Sequence, residues 1–297
     1  MNKFNENIIN LFGKKGEQWL TNLPQIINAL AEHWGLSELW PYSNLSYNYV
    51  VRAMNKENIP VVVKISYEQQ LMEDESKALQ HFAGHGAIKL LDTCGMYNAM
   101  LLCQAIPGDS LKTYYPSNLA KVITIYSDVI NKLIDASDNS TQLKFKSVVA
   151  WLNAFERVSH ESIPSGLFQY ANQLQRHLLN TADKTYVLHG DLHHDNIIID
   201  DDHWLAIDPK GIVGEKAFEA AAFDFVYSTE YHSKQEYAAL LKTRVELLAQ
   251  ILNLDAQRLL QWVFIRLLLS ALWFIEDSGD PGEAIFQASA IYENIYL

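Results

Sequence analysis

The sequence predicts an α+β chain in two lobes, a small β-rich one followed by a larger and mostly helical one. Three observations carry this expectation. The apolar period changes from helical to alternating soon after residue 40 and stays mixed for some sixty residues. Beyond Pro107-Gly108-Asp109-Ser110 most of the chain reads helical. A β-rich island then interrupts the helices between Tyr186 and Ile207.

Taken in order, Trp19, Leu20, Leu23, Ile26, Ile27 and Leu30 recur at helical spacing, with Pro24 expected to break or restart the helix. Tyr47 to Ala53 and Ile59 to Ile65 are β-rich and separated by Asn55-Lys56-Glu57-Asn58, which predicts a hairpin. Glu68 to Phe82 returns to a helical pattern, and Ile88 to Asp92 and Ala99 to Gln104 are further short strands. In the island, Ile197-Ile198-Ile199 and Trp204-Leu205-Ala206-Ile207 flank the acidic turn Asp200-Asp201-Asp202, a second hairpin. The expected division places N-terminal helices and a β-rich lobe in residues 1–104 and a mostly helical lobe in 105–297. Ligands favour the cleft between two such lobes.

Composition narrows the function. The 297 residues are 49% hydrophobic and 20% charged, as in an ordinary globular protein. The net charge of −12 argues against nucleic acid, whose binding draws on Lys and Arg. The start lacks the layout of a signal peptide. Trp262 to Ile275, the most apolar stretch, is interrupted by Arg266 and too short to span a bilayer, so a buried helix is expected there and no membrane partner. Cys94 and Cys103 read as two buried thiols in a reducing cytoplasm.

The chemistry concentrates in His189-Gly190-Asp191-Leu192-His193-His194-Asp195-Asn196 and in Ile207-Asp208-Pro209-Lys210-Gly211. Singly, each residue suits a turn that caps nearby backbone. Together and bracketed by strands, they supply what phosphoryl transfer requires. Asp191 accepts the proton of an attacking hydroxyl, while Asn196 and Asp208 offer oxygen ligands to magnesium on the nucleotide phosphates. Lys64 ends the apolar run Val61-Val62-Val63 and offers a cation for those phosphates. Glu75, which opens an apolar helical face, is expected to hold it, with Glu73 as the competing partner. Two other classes stay in view. His189, Asp191, His193, His194 and Asp195 are dense enough for a metal-dependent hydrolase, and a non-catalytic kinase-like binding module would have lost one of the three key residues. For His189 the expected role is to hydrogen-bond backbone and hold the loop.

At these residues the chain resembles the aminoglycoside phosphotransferase family of kinase-like enzymes, and is most similar to its streptomycin 6-phosphotransferase and hydroxyurea-resistance kinase branch. The matching segments are Leu45 to Val50, Val62-Val63-Lys64, Glu75 to Leu79, Pro107 to Leu111, Leu188 to Ile198, Leu205 to Gly214, and Leu269 to Asp277. The resemblance implies a bilobal protein-kinase-like fold and an ATP- and magnesium-dependent transferase in the cytoplasm that phosphorylates an alcohol group. It also implies a hinge at Gln104 to Ile106 against which adenine lies. Where a Gly-rich loop would cover the nucleotide, Ser43 to Asn48 has no glycine, so Ser46 and its backbone neighbours approach the phosphates. Asp208 is followed by Pro209-Lys210, without the Phe-Gly of protein kinases.

The acceptor is less legible. From Leu267 to the end the chain has five carboxylates and no Lys or Arg. Glu276 and Asp277 end an apolar helix, where they are expected to receive a cationic acceptor, and Trp273, one turn back, to stack on a sugar ring. An aminoglycoside such as streptomycin is one expected acceptor; hydroxyurea or a small hydroxyl metabolite is the other.

Overall fold

The structure, a computed structural model, describes residues 3–137 and 144–295. The chain packs as two compact units, one of Met1–Asp109 with Ile198–Lys210, the other of Ser110–Ile197 with Gly211–Leu297. A linear cut after residue 104 leaves the 198–210 hairpin with the helical part; in the structure it packs within the first unit.

The first unit begins with α1 (Lys3–Trp34). Pro24 stays inside this helix, and the break falls at Gly13, whose φ of 56° and ψ of −136° leave the helical region. Proline keeps a helical φ and removes one hydrogen bond, whereas a left-handed residue ends the spiral. Next come β1 (Ser37–Pro41), β2 (Asn48–Met54), β3 (Pro60–Ser66), α2 (Gln69–Phe82), β4 (Leu90–Cys94), β5 (Ala99–Cys103) and β6 (Pro107–Ser110). The first five strands make an antiparallel sheet in the order β1-β2-β3-β5-β4. Side chains alternate across a strand. Val61, Val63 and Ile65 of β3 therefore share one face, buried with Phe4, Ile8, Leu23 and Leu30 of α1. Lys64 points to the other face. There α2 buries Met72, Glu75, Ala78, Leu79 and Phe82, a helical stripe in which Glu75 takes an interior position. Cys94 and Cys103 are free thiols and only half-buried, because both sit at strand ends where the sheet face runs out.

The second unit holds α3 (Leu119–Ser137), β7 (Lys146–Ser147), α4 (Val148–Leu152), α5 (Ala154–Arg157), α6 (Ser165–Asn180) and β8 (Tyr186–Leu188). The chain then returns to the first unit with β9 (Ile197–Asp200) and β10 (His203–Ala206), which form a sheet ordered β10-β9-β6. Ala206 ties this hairpin down, donating to the carbonyl of Gly86 at 2.8 Å and accepting from Ile88 at 2.8 Å. Back in the second unit, β11 (Ile212–Gly214) lies between β7 and β8. It is followed by α7 (Lys216–Ala220), α8 (Lys234–Leu252), α9 (Ala256–Glu276) and α10 (Gly282–Asn294). Ser233 caps α8 and Asp255 caps α9, each side chain accepting a first-turn N–H. Although α9 is long and apolar enough to cross a membrane, it buries ten residues from Leu259 to Leu272 in its own unit and is a core helix.

Candidate functional site

In the first unit, Lys64 is 3% exposed and its Nζ donates to both oxygens of Glu75, each at 2.7 Å. The same Nζ lies 2.7 Å from Oδ1 of Asp208. Burial alone would lower the proton affinity of the ammonium, but Asp208 and Glu75 outweigh it and hold Lys64 above its ordinary range. Glu73 is elsewhere engaged, accepting from Gln69 at 2.7 Å on the helix surface. Asp208 follows β10 with φ of 61°, a left-handed conformation that a non-glycine residue adopts only where its surroundings impose it. The turn aims a carboxylate at Lys64, and nothing in the local sequence announces that backbone state.

Ser46 lies exposed in the turn between β1 and β2, its carbonyl accepting from Asn7 of α1 at 3.1 Å. Gln104 follows β5 and is half-buried. Ile106 exposes 46% of its surface while both its main-chain groups are taken by the acidic turn: its N–H donates to Oδ1 of Asp200 at 3.0 Å, and its carbonyl accepts from Asp201 at 2.7 Å. The acidic turn therefore holds the segment after β5, a role that its composition alone does not reveal.

In the second unit, the loop after β8 carries Asp191 and Asn196. Leu192 and His189 are fully buried and root it. Nδ1 of His189 accepts the N–H of Asp191 at 3.2 Å. The carbonyl of Asp191 accepts from the N–H of His193 at 3.0 Å and from Nδ2 of Asn196 at 2.8 Å. That bond commits the nitrogen of Asn196, and its amide oxygen is of the donor type that magnesium requires. The Asp191 side chain is 40% exposed, with Nε2 of His193 4.0 Å away.

Gly190 is the tightest point of this loop. Its φ is 89°, and a Cβ there would stand 3.0 Å from Trp151 and 3.2 Å from Ile212. Its N–H points to both oxygens of Glu219 on α7, at 3.2 and 3.1 Å, and its carbonyl accepts from Nη1 of Arg266 on α9 at 3.0 Å. Glu219 is 1% exposed, and burial pushes its carboxyl up to about 7 against the pull of the Gly190 N–H and of Arg266. The Arg266 guanidinium lies over the Phe218 ring at 4.7 Å. Sequence reasoning missed Glu219, Trp151 and the loop-holding role of Arg266. The available signal was a charge inside an apolar run, Ala217-Phe218-Glu219-Ala220-Ala221 and Phe264-Ile265-Arg266-Leu267.

The histidines pack more than they ligate. His194 is fully buried, its N–H donating to Asp224 at 3.0 Å and its ring set edge-on to Phe223 at 4.5 Å. Burial lowers its pKa to about 4, so the ring is neutral at pH 7. Among the described residues, no group of three or more His, Cys, Asp or Glu is placed to hold a metal ion.

Of the acceptor candidates, Trp273 is half-buried and meets Trp151 edge-to-face, ring centroids 5.3 Å apart. Glu276 closes α9 and is gripped by Arg157, with Nε to Oε1 at 3.0 Å and Nη2 to Oε2 at 2.8 Å. That hydrogen-bonded guanidinium holds the Glu276 carboxyl below its usual range. Asp277 caps the helix and is exposed.

The family profile of aminoglycoside/hydroxyurea antibiotic resistance kinases matches residues 34–278. Streptomycin 6-kinase from Streptomyces glaucescens is 24% identical over 295 residues, covering 94% of this chain and 92% of that protein. Hydroxyurea phosphotransferase from Kitasatospora aureofaciens is 23% identical over 279 residues, covering 89% and 77%. Among solved structures, aminoglycoside phosphotransferase APH(4)-Ia superposes with a TM-score of 0.67 at 14% identity, over 93% of this chain and all of that one, a likeness of fold.

Proposed function

This chain belongs to the aminoglycoside/hydroxyurea antibiotic resistance kinase family, and from that premise we propose that it transfers the γ-phosphoryl group of ATP to a hydroxyl of a cationic aminoglycoside, in the cytoplasm. Asp191 orients the acceptor hydroxyl and takes its proton as the oxygen attacks the γ-phosphorus and the bond to the β-phosphate breaks. Lys64, held by Glu75, pairs with the nucleotide phosphates, and the Ser46 turn covers them. Adenine lies against Gln104 and the exposed side chain of Ile106, whose main chain is already committed to Asp200 and Asp201. Asn196 and Asp208 would each offer an oxygen ligand to magnesium. When bound, the ion neutralises charge on the transferring phosphoryl group. Trp273, Glu276 and Asp277 receive the acceptor.

The observation that carries this reading is the buried Lys64 bridging Glu75 and Asp208 at 2.7 Å. A phosphate-binding cation needs both an anchor and a metal-ligand neighbour, the parts this reading gives to Glu75 and Asp208. One observation favours a neutral acceptor as a second reading: Arg157 already answers the charge of Glu276. Incubating the enzyme with γ-labelled ATP, magnesium and either streptomycin or hydroxyurea tests both. Label is expected in phosphorylated streptomycin. Label in hydroxyurea alone supports the second reading, and label appearing only as inorganic phosphate contradicts both.

A further inference from the structure

The carboxylate of Glu276 is answered from within its own unit. Arg157, the last residue of α5, meets it through Nε at 3.0 Å and Nη2 at 2.8 Å, the fork geometry by which a guanidinium recognises a carboxylate. Both side chains stay close to half exposed, 48% and 42%. The fork makes this one of the stronger kinds of exposed pair, but water still competes for both charges. Only a ligand that brings the same planar cation with further contacts behind it can therefore compete with Arg157.

The location of the pair gives this exchange its meaning. Trp273 stands three residues before Glu276 on α9, a rise of about 4.5 Å. It packs against Trp151, whose ring in turn abuts Gly190, the neighbour of Asp191. A continuous line of contact in one unit thus runs from the loop of Asp191 to the carboxylate of Glu276. Resting on the acceptor reading above, we propose that Arg157 is a built-in competitor of the acceptor. Its guanidinium occupies on Glu276 the place that a guanidinium or ammonium group of the acceptor takes. A neutral hydroxyl compound has nothing with which to displace it, so the pair selects by charge before the hydroxyl reaches Asp191.

The test uses streptomycin, which carries guanidinium groups, as the probe. Its KM is measured for the wild type, Arg157→Gln, Glu276→Gln and the double variant, each divided by the same protein's KM for ATP. Removing the competitor is expected to lower this ratio three- to fivefold, and removing the receptor to raise it at least tenfold. The double variant should match Glu276→Gln, since Arg157 then has nothing to compete for. Should Arg157→Gln fail to fold by thermal melting, Arg157→Lys, which keeps the charge and loses the fork, is expected to lower the ratio by a smaller factor. A ratio that rises in Arg157→Gln identifies the pair as a brace and overturns the proposal, as does an unchanged ratio. A wild type that phosphorylates hydroxyurea but not streptomycin overturns the acceptor reading together with the proposal, and that outcome is visible before any variant is made.

Discussion

Lys64 is buried by its strand, and its charge survives there only because Glu75 and Asp208 lie within hydrogen-bond reach. Removing one partner of such a pair leaves the other charged and unsolvated, which typically costs about 3–5 kcal/mol. Lys64→Ala is expected to lower thermal stability and to weaken use of ATP, with Glu75→Ala milder. The double variant should be little worse than Lys64→Ala, because Glu75 acts through Lys64; fully additive losses in a double-mutant cycle would count against the pairing. At this scale the sequence was informative where chemistry follows from spacing. Asp191 and Asn196 stand five apart beside a strand, and Asp208 follows a short hairpin. Glu219 and Trp151 were not legible, because each gains its meaning from Gly190, which lies far from both in sequence and meets them only through packing.

The loop of Asp191 is pinched between two helices, α7 supplying Glu219 to the N–H of Gly190 and α9 supplying Arg266 to its carbonyl. Gly190→Ala drives a methyl group toward Trp151 and Ile212 in a left-handed backbone state, so turnover is expected to fall at least a hundredfold while the helices still form. Circular dichroism and steady-state kinetics check the two halves of that statement.

The same loop predicts a pH signature. Glu219 titrates near 7 in the fold against an ordinary value of 4.5, so the native state binds the extra proton between those values, and stability is lost as pH rises from about 4.5 to about 7. His194, depressed to about 4 from 6.5, has the opposite sign and loses stability as pH falls from about 6.5 towards 4. The two slopes offset one another in the wild type. Glu219→Gln removes the first slope and keeps that of His194, so its stability should climb more steeply with pH across about 5 to 6.5 than that of the wild type. Urea melts at three pH values measure the slope, and parallel profiles for the two proteins would refute the assignment. Element types were legible where the residue pattern was strong, as in β2, β3 and α2, and in α9 from its apolar run. By contrast, β1 has a single half-buried residue, and β6, β7 and β11 are too short to show a period, so only their pairing identifies them.

At the scale of the molecule, the change from a β-rich to a helical sequence was legible, but the return of residues 198–210 to the first unit was not. That return is a matter of long-range pairing, β9 beside β6 across roughly ninety residues of chain and Ala206 beside Ala87 across about 120. It brings Asp208 to Lys64 and so places the carboxylate expected to meet the metal among the residues expected to meet the nucleotide. Two oxygen donors, an amide and a carboxylate, suit magnesium or manganese and not zinc. Chelation is expected to abolish turnover, with magnesium restoring it and zinc failing to do so; restoration by zinc alone would speak for hydrolase chemistry.

The claim on which the rest depends is that Asp191 acts on the acceptor hydroxyl during phosphoryl transfer. Asp191→Asn keeps the shape of the side chain and removes its basicity, so its effect belongs to the transition state. Measured side by side, wild type and Asp191→Asn should bind ATP with magnesium within a factor of about two, while kcat for the phosphorylated acceptor falls by about a hundredfold to ten-thousandfold. Near-normal kcat in a folded Asp191→Asn enzyme would contradict the account.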